Sequence, residues 1–384
     1  MIKIVRRVLT GWLNRVGACA ALLAIFSALT AHSQTPLIVG YVYQGERAIR
    51  PGSIDPFSMS RINFAFAKIV QGRLAEDTPA DAANLAVLTA LRRSNPQLKI
   101  LISVGGWQGS AHFSDVALSE PSRQLFAESA MAFLRQHDLD GIDLDWEYPG
   151  QAGAGHRHRT ADKQNFTLLL TALRQRFDRE ERRSHRHLLL TIAAGANQEY
   201  LDNTEMGKVQ SVVDTVNLMT YDFADSASGD PSGHHAALYD TPGGPRGFSA
   251  DAVVQAFEKA GVPAEKMVLG VPFYAHAWSE VSAENHGLFQ RGKSSPLNNS
   301  TYAVVSKLPE QGFVRYWDET AQAPYLYSAA KRTVVSYDDP QSLALKCAYI
   351  RRHKLAGVMF WQLSGDAGGV LLRTLDEQFK PAGH

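Results

Sequence analysis

Residues Asp140 to Glu147 read Asp-Gly-Ile-Asp-Leu-Asp-Trp-Glu. Apolar Ile142, Leu144 and Trp146 alternate with Asp143, Asp145 and Glu147, which predicts a β-strand from Gly141 to Glu147 with one apolar face and one face of carboxylates. Tyr148-Pro149-Gly150 then stops it. Strands disfavour clustered Asp, so a merely solvated face is the weaker reading. Acids at i and i+2 lie roughly 6.5 to 7 Å apart at Cα, a spacing suited to a proton-transfer pair or to a divalent cation. Three acids in a row repel one another, so at least one is expected to hold a proton. A cation usually takes further oxygen or His ligands, and no complementary motif accompanies the row. His156 and His158 stand at i and i+2 without a third partner, which is weak evidence for metal. General acid catalysis is therefore favoured, with Glu147 as proton donor and its pKa raised by Asp145.

Something must hold that strand. Eight apolar runs read as strands: Leu37 to Tyr43, Arg61 to Ala67, Lys99 to Val104, Gly141 to Glu147, Leu188 to Ala193, Thr215 to Tyr221, Met267 to Phe273 and Leu355 to Trp361. Helical stretches fall between them, at Ala80 to Arg93, Ser122 to His137, Asp162 to Arg182, Ala250 to Ala260 and Pro340 to His353. Eight alternating β/α units favour closure as a (β/α)₈ TIM barrel of class α/β over an open sheet. No Gly-rich dinucleotide fingerprint follows the first strand, which demotes a nucleotide-binding fold. The seventh and eighth strands are about 80 residues apart, far beyond an ordinary loop. Aromatic and β-branched stretches there, Tyr316-Trp317, Tyr325 to Tyr327 and Thr333 to Tyr337, suit a small sheet. The expected division is a barrel over 36–274 and 338–380 with a small α+β insertion over 275–337.

Chemistry in such barrels sits at the C-terminal ends of the strands. Those ends carry Tyr41 and Tyr43, Phe64 and Phe66, Ser103 to Trp107 with Gly106, Met219 to Asp222 with Tyr221, Phe273-Tyr274, and Met359 to Trp361. Each aromatic alone is more simply core. Together they suit a sugar, whose CH faces pack on aromatic planes while acids and hydroxyls bind its polar edge.

The remaining composition excludes more than it assigns. With 45% hydrophobic and 20% charged residues over 384, the chain can bury a full core. A net charge of +1 supplies no global field for nucleic acid or an acidic membrane. The basic run from Arg174 to His187 reads as the solvated end of a helix with i,i+4 pairs. Lys3, Arg6, Arg7 and Arg15 precede an apolar run from Val16 to Leu29, and Ala31-His32-Ser33 resembles a cleavage site. Residues 1–33 are thus expected to be a secretory signal peptide, leaving a secreted protein, extracellular or periplasmic, without stable membrane association. Cleavage would remove Cys19 and leave Cys347 as a lone thiol packed in a helix.

The acid row resembles the Asp-x-x-Asp-x-Asp-x-Glu signature of glycoside hydrolase family 18, the retaining chitinases, matched at Asp140, Asp143, Asp145 and Glu147. Ser103 to Trp107 is similar to the family's Ser-x-Gly-Gly strand end, and Gly312 to Tyr327 resembles a stretch of its α+β insertion domain. The resemblance implies hydrolysis of β-1,4 bonds between N-acetylglucosamine units in chitin or chito-oligosaccharides, with no cofactor and no metal required; a monomer is the default expectation. It implies that Glu147 is the acid/base, that Asp145 holds the substrate's acetamido N–H, and that Asp143 shares a proton with Asp145. Tyr221 and Asp222 would hold the N-acetyl group beside Met219. Trp361 would form the floor, Trp107 a sugar platform, and Tyr41 a neighbour of the acid pair. Phe66, Gly106 and Tyr274 complete the implied binding set. Such enzymes are substrate-assisted, the 2-acetamido oxygen attacking the anomeric carbon.

Three places depart from that pattern. Phe223 to Ala227 offers no tryptophan platform on the leaving-group side, Tyr274-Ala275-His276 stands where a Gly-Arg pair is common, and His235 stands where Asn is common. With no room outside the barrel for a separate carbohydrate-binding module, soluble chito-oligosaccharides or accessible chain ends are expected over crystalline chitin. The rival readings are a non-enzymatic chitin-binding lectin, which typically lacks the acid, a hydrolase of peptidoglycan or N-glycans, and a metal-dependent barrel enzyme.

Overall fold

The computed structural model describes residues 35–380; the expected leader, residues 1–33, lies outside them. Eight strands form a closed parallel barrel: β1 (Leu37–Tyr43), β2 (Arg61–Val70), β4 (Lys99–Gly105), β5 (Gly141–Asp145), β6 (Leu189–Gly195), β7 (Thr215–Met219), β8 (Met267–Pro272) and β14 (Gly357–Trp361), with β3 (Arg73–Glu76) an antiparallel hairpin partner of β2. Closure is made by β1, which pairs with β14 at Val39↔Met359 and with β2 at Gly40↔Ile62. The expected (β/α)₈ barrel is therefore present.

Side-chain alternation decides what each face meets. Ile142, Leu144 and Trp146 turn outward into the layer between sheet and helices. There Trp146 stacks on Phe113 with centroids 5.4 Å apart and meets the edge of Phe166 at 5.7 Å. The covering helices carry their own stop signals. Glu120–Gln136 begins with a capping box between Ser119 and Ser122, which satisfies amides that the helix leaves free. Asp162–Ser184 ends at His185 in the left-handed conformation. The basic run at its end is paired: Arg174 Nε lies 2.6 Å from Asp178, Arg176 Nε 2.8 Å from Glu128, and His187 bridges Glu181 and Asp214. Cys347 is buried in the helix Pro340–His353, and burial pushes its thiol up to about 12.

Two strands end two residues earlier than their sequence pattern suggests. β5 leaves the sheet after Asp145 instead of Glu147, and β7 after Met219 instead of Tyr221. The reason is in the neighbours: β4 pairs with β5 up to Gly105↔Asp145 and β6 with β5 only up to Leu144↔Ile192. Beyond that level neither neighbour pairs with β5. Ser110 takes over there, its hydroxyl 3.1 Å from the Asp145 carbonyl and accepting the Glu147 amide at 2.9 Å.

Between β8 and β14 lies a five-stranded antiparallel sheet ordered β10-β9-β13-β12-β11: β9 (His276–Ser279), β10 (Lys293–Ser294), β11 (Val314–Asp318), β12 (Ala323–Ser328) and β13 (Thr333–Ser336). Its faces follow the period of two. Leu326 and Val335 pack with Val305, Leu308 and Phe313 on one side, while Tyr325, Tyr327 and Val334 pack with Trp278 and Leu288 on the other. The chain returns to the barrel through Asp338, which receives Lys346 Nζ at 2.5 Å and Ser342 Oγ at 2.7 Å, with both ionic side chains only 1% exposed.

Removing one partner of such a pair strands a buried charge. Lys346→Met should lower the unfolding free energy by about 3–5 kcal/mol, and adding Asp338→Asn should restore part of it. Urea denaturation of both variants checks this; an unshifted midpoint for Lys346→Met would contradict it.

Candidate active site

A cleft of about 1130 Å³ opens at the C-terminal ends of the barrel strands, lined by Asp145, Glu147 and Tyr221 together with Tyr41, Phe66, Trp107, Met219, Asp222, Tyr274 and Trp361. Asp143 and Gly106 stand behind that lining. Gly106 sits at φ +74, and a Cβ there would meet the Phe66 ring at 2.6 Å; at Gly105, φ +110, it would meet the Asp145 carbonyl at 2.2 Å. The two glycines let the end of β4 turn away tightly against the acid strand.

Asp143 is fully buried inside the barrel. Its Oδ2 accepts Tyr41 OH at 2.7 Å and Ser103 Oγ at 3.0 Å; its Oδ1 accepts Thr191 Oγ1 at 2.5 Å and Asn217 Nδ2 at 3.0 Å. These donors come from β1, β4, β6 and β7. Arg61 completes the network, giving NH2 to Asn217 Oδ1 at 2.8 Å and NH1 to Thr215 Oγ1 at 3.0 Å. Asp140, at the foot of the strand, accepts Ile100 N, Arg92 and Arg186, a supporting position away from the cleft.

Asp145 lies above Asp143 and lines the cleft with Glu147. Burial, then the charges of Glu147 and Asp143, push Asp145 well above the usual carboxylate range. Glu147 is raised to about 7, first by burial and then by the charge of Asp222, while Tyr148 and Asp145 oppose the rise through hydrogen bonding. One expectation changes as a result. The raised pKa of Glu147 comes from burial and Asp222, whereas Asp145 acts in the other direction. Four donors already occupy both oxygens of Asp143. Asp145 and Glu147 titrate as a unit and keep a proton near neutrality.

Aromatic surfaces flank the acids. Trp361 stacks on Phe66 at 5.5 Å and tilts against Tyr41 at 5.7 Å and Tyr43 at 6.0 Å. Trp107 is 49% exposed, and its carbonyl is tied by His156 Nε2 at 2.8 Å; His156 thus fixes a loop. Tyr221, whose phenol burial and nearby acids raise well above its ordinary value, lies against Tyr274 at 6.1 Å and remains a neutral donor.

Asp222, at φ +60, accepts Tyr274 OH at 2.5 Å and His276 Nε2 at 2.7 Å. Desolvation would raise this carboxyl, but His235 and His276 outweigh it and hold Asp222 well below the usual range. His235 is fully buried, with Nδ1 3.7 Å from Asp222, and burial pushes it down to about 4. Two histidines and an acid form a donor set that a divalent ion could use. Here both ring nitrogens of His276 face acceptors, Asp222 on one side and Asn298 with Asp225 on the other.

Sequence reading missed the supporting residues: Arg61, Ser110, Thr191 and Asn217, polar residues within or beside apolar strands. It also missed Phe248, which is 43% exposed and lines the cleft against Phe223 at 6.4 Å. The loop after Asp222 lacks a tryptophan, and an aromatic surface is supplied there from elsewhere.

Comparison with known proteins follows from this geometry. The sequence profile of Glycosyl hydrolases family 18 matches residues 37–366. Chitinase A1 of Niallia circulans is 41% identical over 318 residues, 79% of this chain and 45% of that protein. Chitotriosidase-1 of Mus musculus is 32% identical over 333 residues, 82% of this chain and 69% of its own length. Among solved structures, a glycoside hydrolase family 18 N-acetylglucosaminidase from Paenibacillus barengoltzii is 42% identical with a TM-score of 0.82, covering 89% of this chain and 99% of that one. The chain thus spans less than half the length of chitinase A1.

If the Asp222 charge helps to raise Glu147, then Asp222→Asn should lower the Glu147 pKa from about 7 toward the ordinary carboxylate range. NMR of ¹³C-labelled Glu carboxyl carbons reads this directly. A Glu147 that already titrates at an ordinary value in the parent protein would refute the electrostatic description.

Proposed function

The chain belongs to Glycosyl hydrolases family 18, and on that basis we propose that it hydrolyses β-1,4 bonds between N-acetylglucosamine units of chito-oligosaccharides, with Glu147 as general acid/base. The observation that carries the proposal is the placing of Asp145 and Glu147, both raised in pKa first by burial, in one cleft between the aromatic surfaces of Trp361, Phe66 and Trp107. A carboxyl raised to about 7 still holds its proton near neutrality and can return to the carboxylate within one catalytic cycle.

In this reading Glu147 protonates the glycosidic oxygen as the bond from that oxygen to the anomeric carbon breaks. The substrate's own 2-acetamido oxygen attacks the same carbon, giving an oxazolinium ion. Asp145 accepts the acetamido N–H, the pair it forms with Glu147 carries the negative charge that balances the oxazolinium ion once Glu147 has given up its proton, and the neutral Tyr221 hydroxyl donates to the acetamido oxygen. Glu147, now a carboxylate, takes a proton from water as that water opens the ring, which retains the anomeric configuration. Asp143 stays below as the fixed charge beneath Asp145. Asp222, Met219 and Tyr274 line the acetamido side, and Trp361 packs under the sugar ring.

A chitin-binding lectin is disfavoured because Glu147 is present and carries an acid's electrostatics. A peptidoglycan hydrolase of the same chemistry is separated by comparing purified cell wall with soluble chito-oligosaccharides. The match across 99% of the N-acetylglucosaminidase chain favours a second reading, release of single sugars from short chains; the product ladder from a chitotetraose distinguishes it. We also propose export, on the basic and apolar pattern of residues 1–33, checked by N-terminal sequencing of the exported protein.

Glu147→Gln should fold and bind chitotriose while losing about 10²- to 10⁴-fold in turnover of a fluorogenic chitobioside. The acid form is the active one. In the parent enzyme kcat should therefore decline as pH rises through about 7, by about tenfold per unit. Near-parental activity of the variant would remove Glu147 from the mechanism.

A further inference from the structure

The resemblance to family 18 places a Gly-Arg pair where this chain has Ala275-His276. Resting on the hydrolase reading, we propose that His276 is the positioning residue for Asp222. It is an imidazolium clamped between Asp222 and Asp225 that keeps Asp222 charged and turned to the substrate, and it makes substrate capture weaken as pH rises.

His276 opens β9 and is 3% exposed. Its Nε2 lies 2.7 Å from Asp222 Oδ1, and its Nδ1 lies 2.8 Å from Asn298 Oδ1 and 3.2 Å from Asp225 Oδ1. The orientation of Asn298 follows from its other partners, since Ala277 N donates to the same Oδ1 at 3.0 Å and Nδ2 faces Asp225 Oδ1 at 3.3 Å. Both ring nitrogens therefore face acceptors. A neutral imidazole has one donor and one lone pair, so it would leave one side unmet; the imidazolium satisfies both. The ring cannot swing away, being packed against His235 at 4.8 Å, Tyr274 at 5.7 Å and Trp278 at 6.4 Å.

The charges around it agree. Asp222 and Asp225 face it from the segment after β7, and Asp230 faces Asp225 through the Asp225 amide at 3.1 Å. His235 beside it is neutral, and Tyr274 donates to the same Asp222 oxygen. Glu147 acts on Asp222 from across the cleft. Burial works against the charge on His276, and Asp222 outweighs burial, which raises it.

An arginine at this place would stay charged at every working pH; an imidazole does not. Once His276 loses its proton, one carboxylate loses its donor. With the remaining proton on Nδ1, Asp222 keeps Tyr274 as its close donor and faces a lone pair; with it on Nε2, the clamp opens on the side of Asp225 and Asn298. The protonated form exists below the raised pKa, so substrate affinity is full there and falls above it.

The test measures KM and kcat separately for chitotrioside against pH in the parent enzyme, His276→Arg and His276→Asn, with ¹H–¹⁵N NMR following the His276 ring. The parent's KM should climb through the pH at which the ring titrates. His276→Arg should flatten that climb. His276→Asn should show KM raised roughly ten- to hundredfold at all pH, with a much smaller change in kcat. A ring neutral at and below neutral pH, or a KM profile of His276→Arg that copies the parent's, overturns the proposal. If the parent shows no turnover, the hydrolase reading fails by itself; calorimetric affinity for chitotriose against pH, in the same three proteins, still decides the role of His276.

Discussion

A carboxylate closed inside a protein costs several kcal/mol unless donors replace the water it has lost. Asp143 sits inside the barrel under that constraint, with donors from four strands other than its own. Meeting it fixes the rotation of β1, β4, β6 and β7 about their axes, because Tyr41, Ser103, Thr191 and Asn217 must all turn inward at one level. Arg61 then backs Asn217 from below. A one-residue slip in any of these strands would send the donor outward. The polar interior therefore specifies register as well as supporting a charge.

What stands above Asp143 follows from the alternation of β5. Asp145 emerges two residues on, over a negative charge and beside a third acid, so its proton is held tightly. Glu147 emerges where the sheet has run out of partners, and Ser110 fastens its backbone. The most reactive carboxyl thus sits on the first stretch of backbone freed from the ladder and is still fixed by a buried hydroxyl. Asp222 across the cleft couples to the same pair and is itself governed by His276. The inserted sheet, which begins at His276, thereby contributes to the electrostatics of the acids as well as a wall.

Much of this was legible in the sequence, for physical reasons. Period-two alternation identified the barrel strands, and the long gap between the seventh and eighth revealed the inserted sheet. The acid row was visible because four acids in eight residues have few structural uses. Thr191 and Asn217 were not, since a single polar residue in an apolar strand has no partner until the barrel closes. Ser110 was missed because its role depends on where β4 and β6 stop. The direction of Asp145's influence on Glu147 also needed geometry: equal spacing along a strand does not say which acid hydrogen-bonds and which only repels. Phe248 meets Phe223 at the cleft across a separation in sequence that only folding closes.

The account depends on the substrate's acetamido group acting as nucleophile above Asp145, with Glu147 serving both steps. ¹H NMR of a chito-oligosaccharide digest, recorded before mutarotation, tests that most directly. The account predicts that the new reducing end appears first as the β anomer. First appearance of the α anomer would mean direct attack by water, which would contradict it.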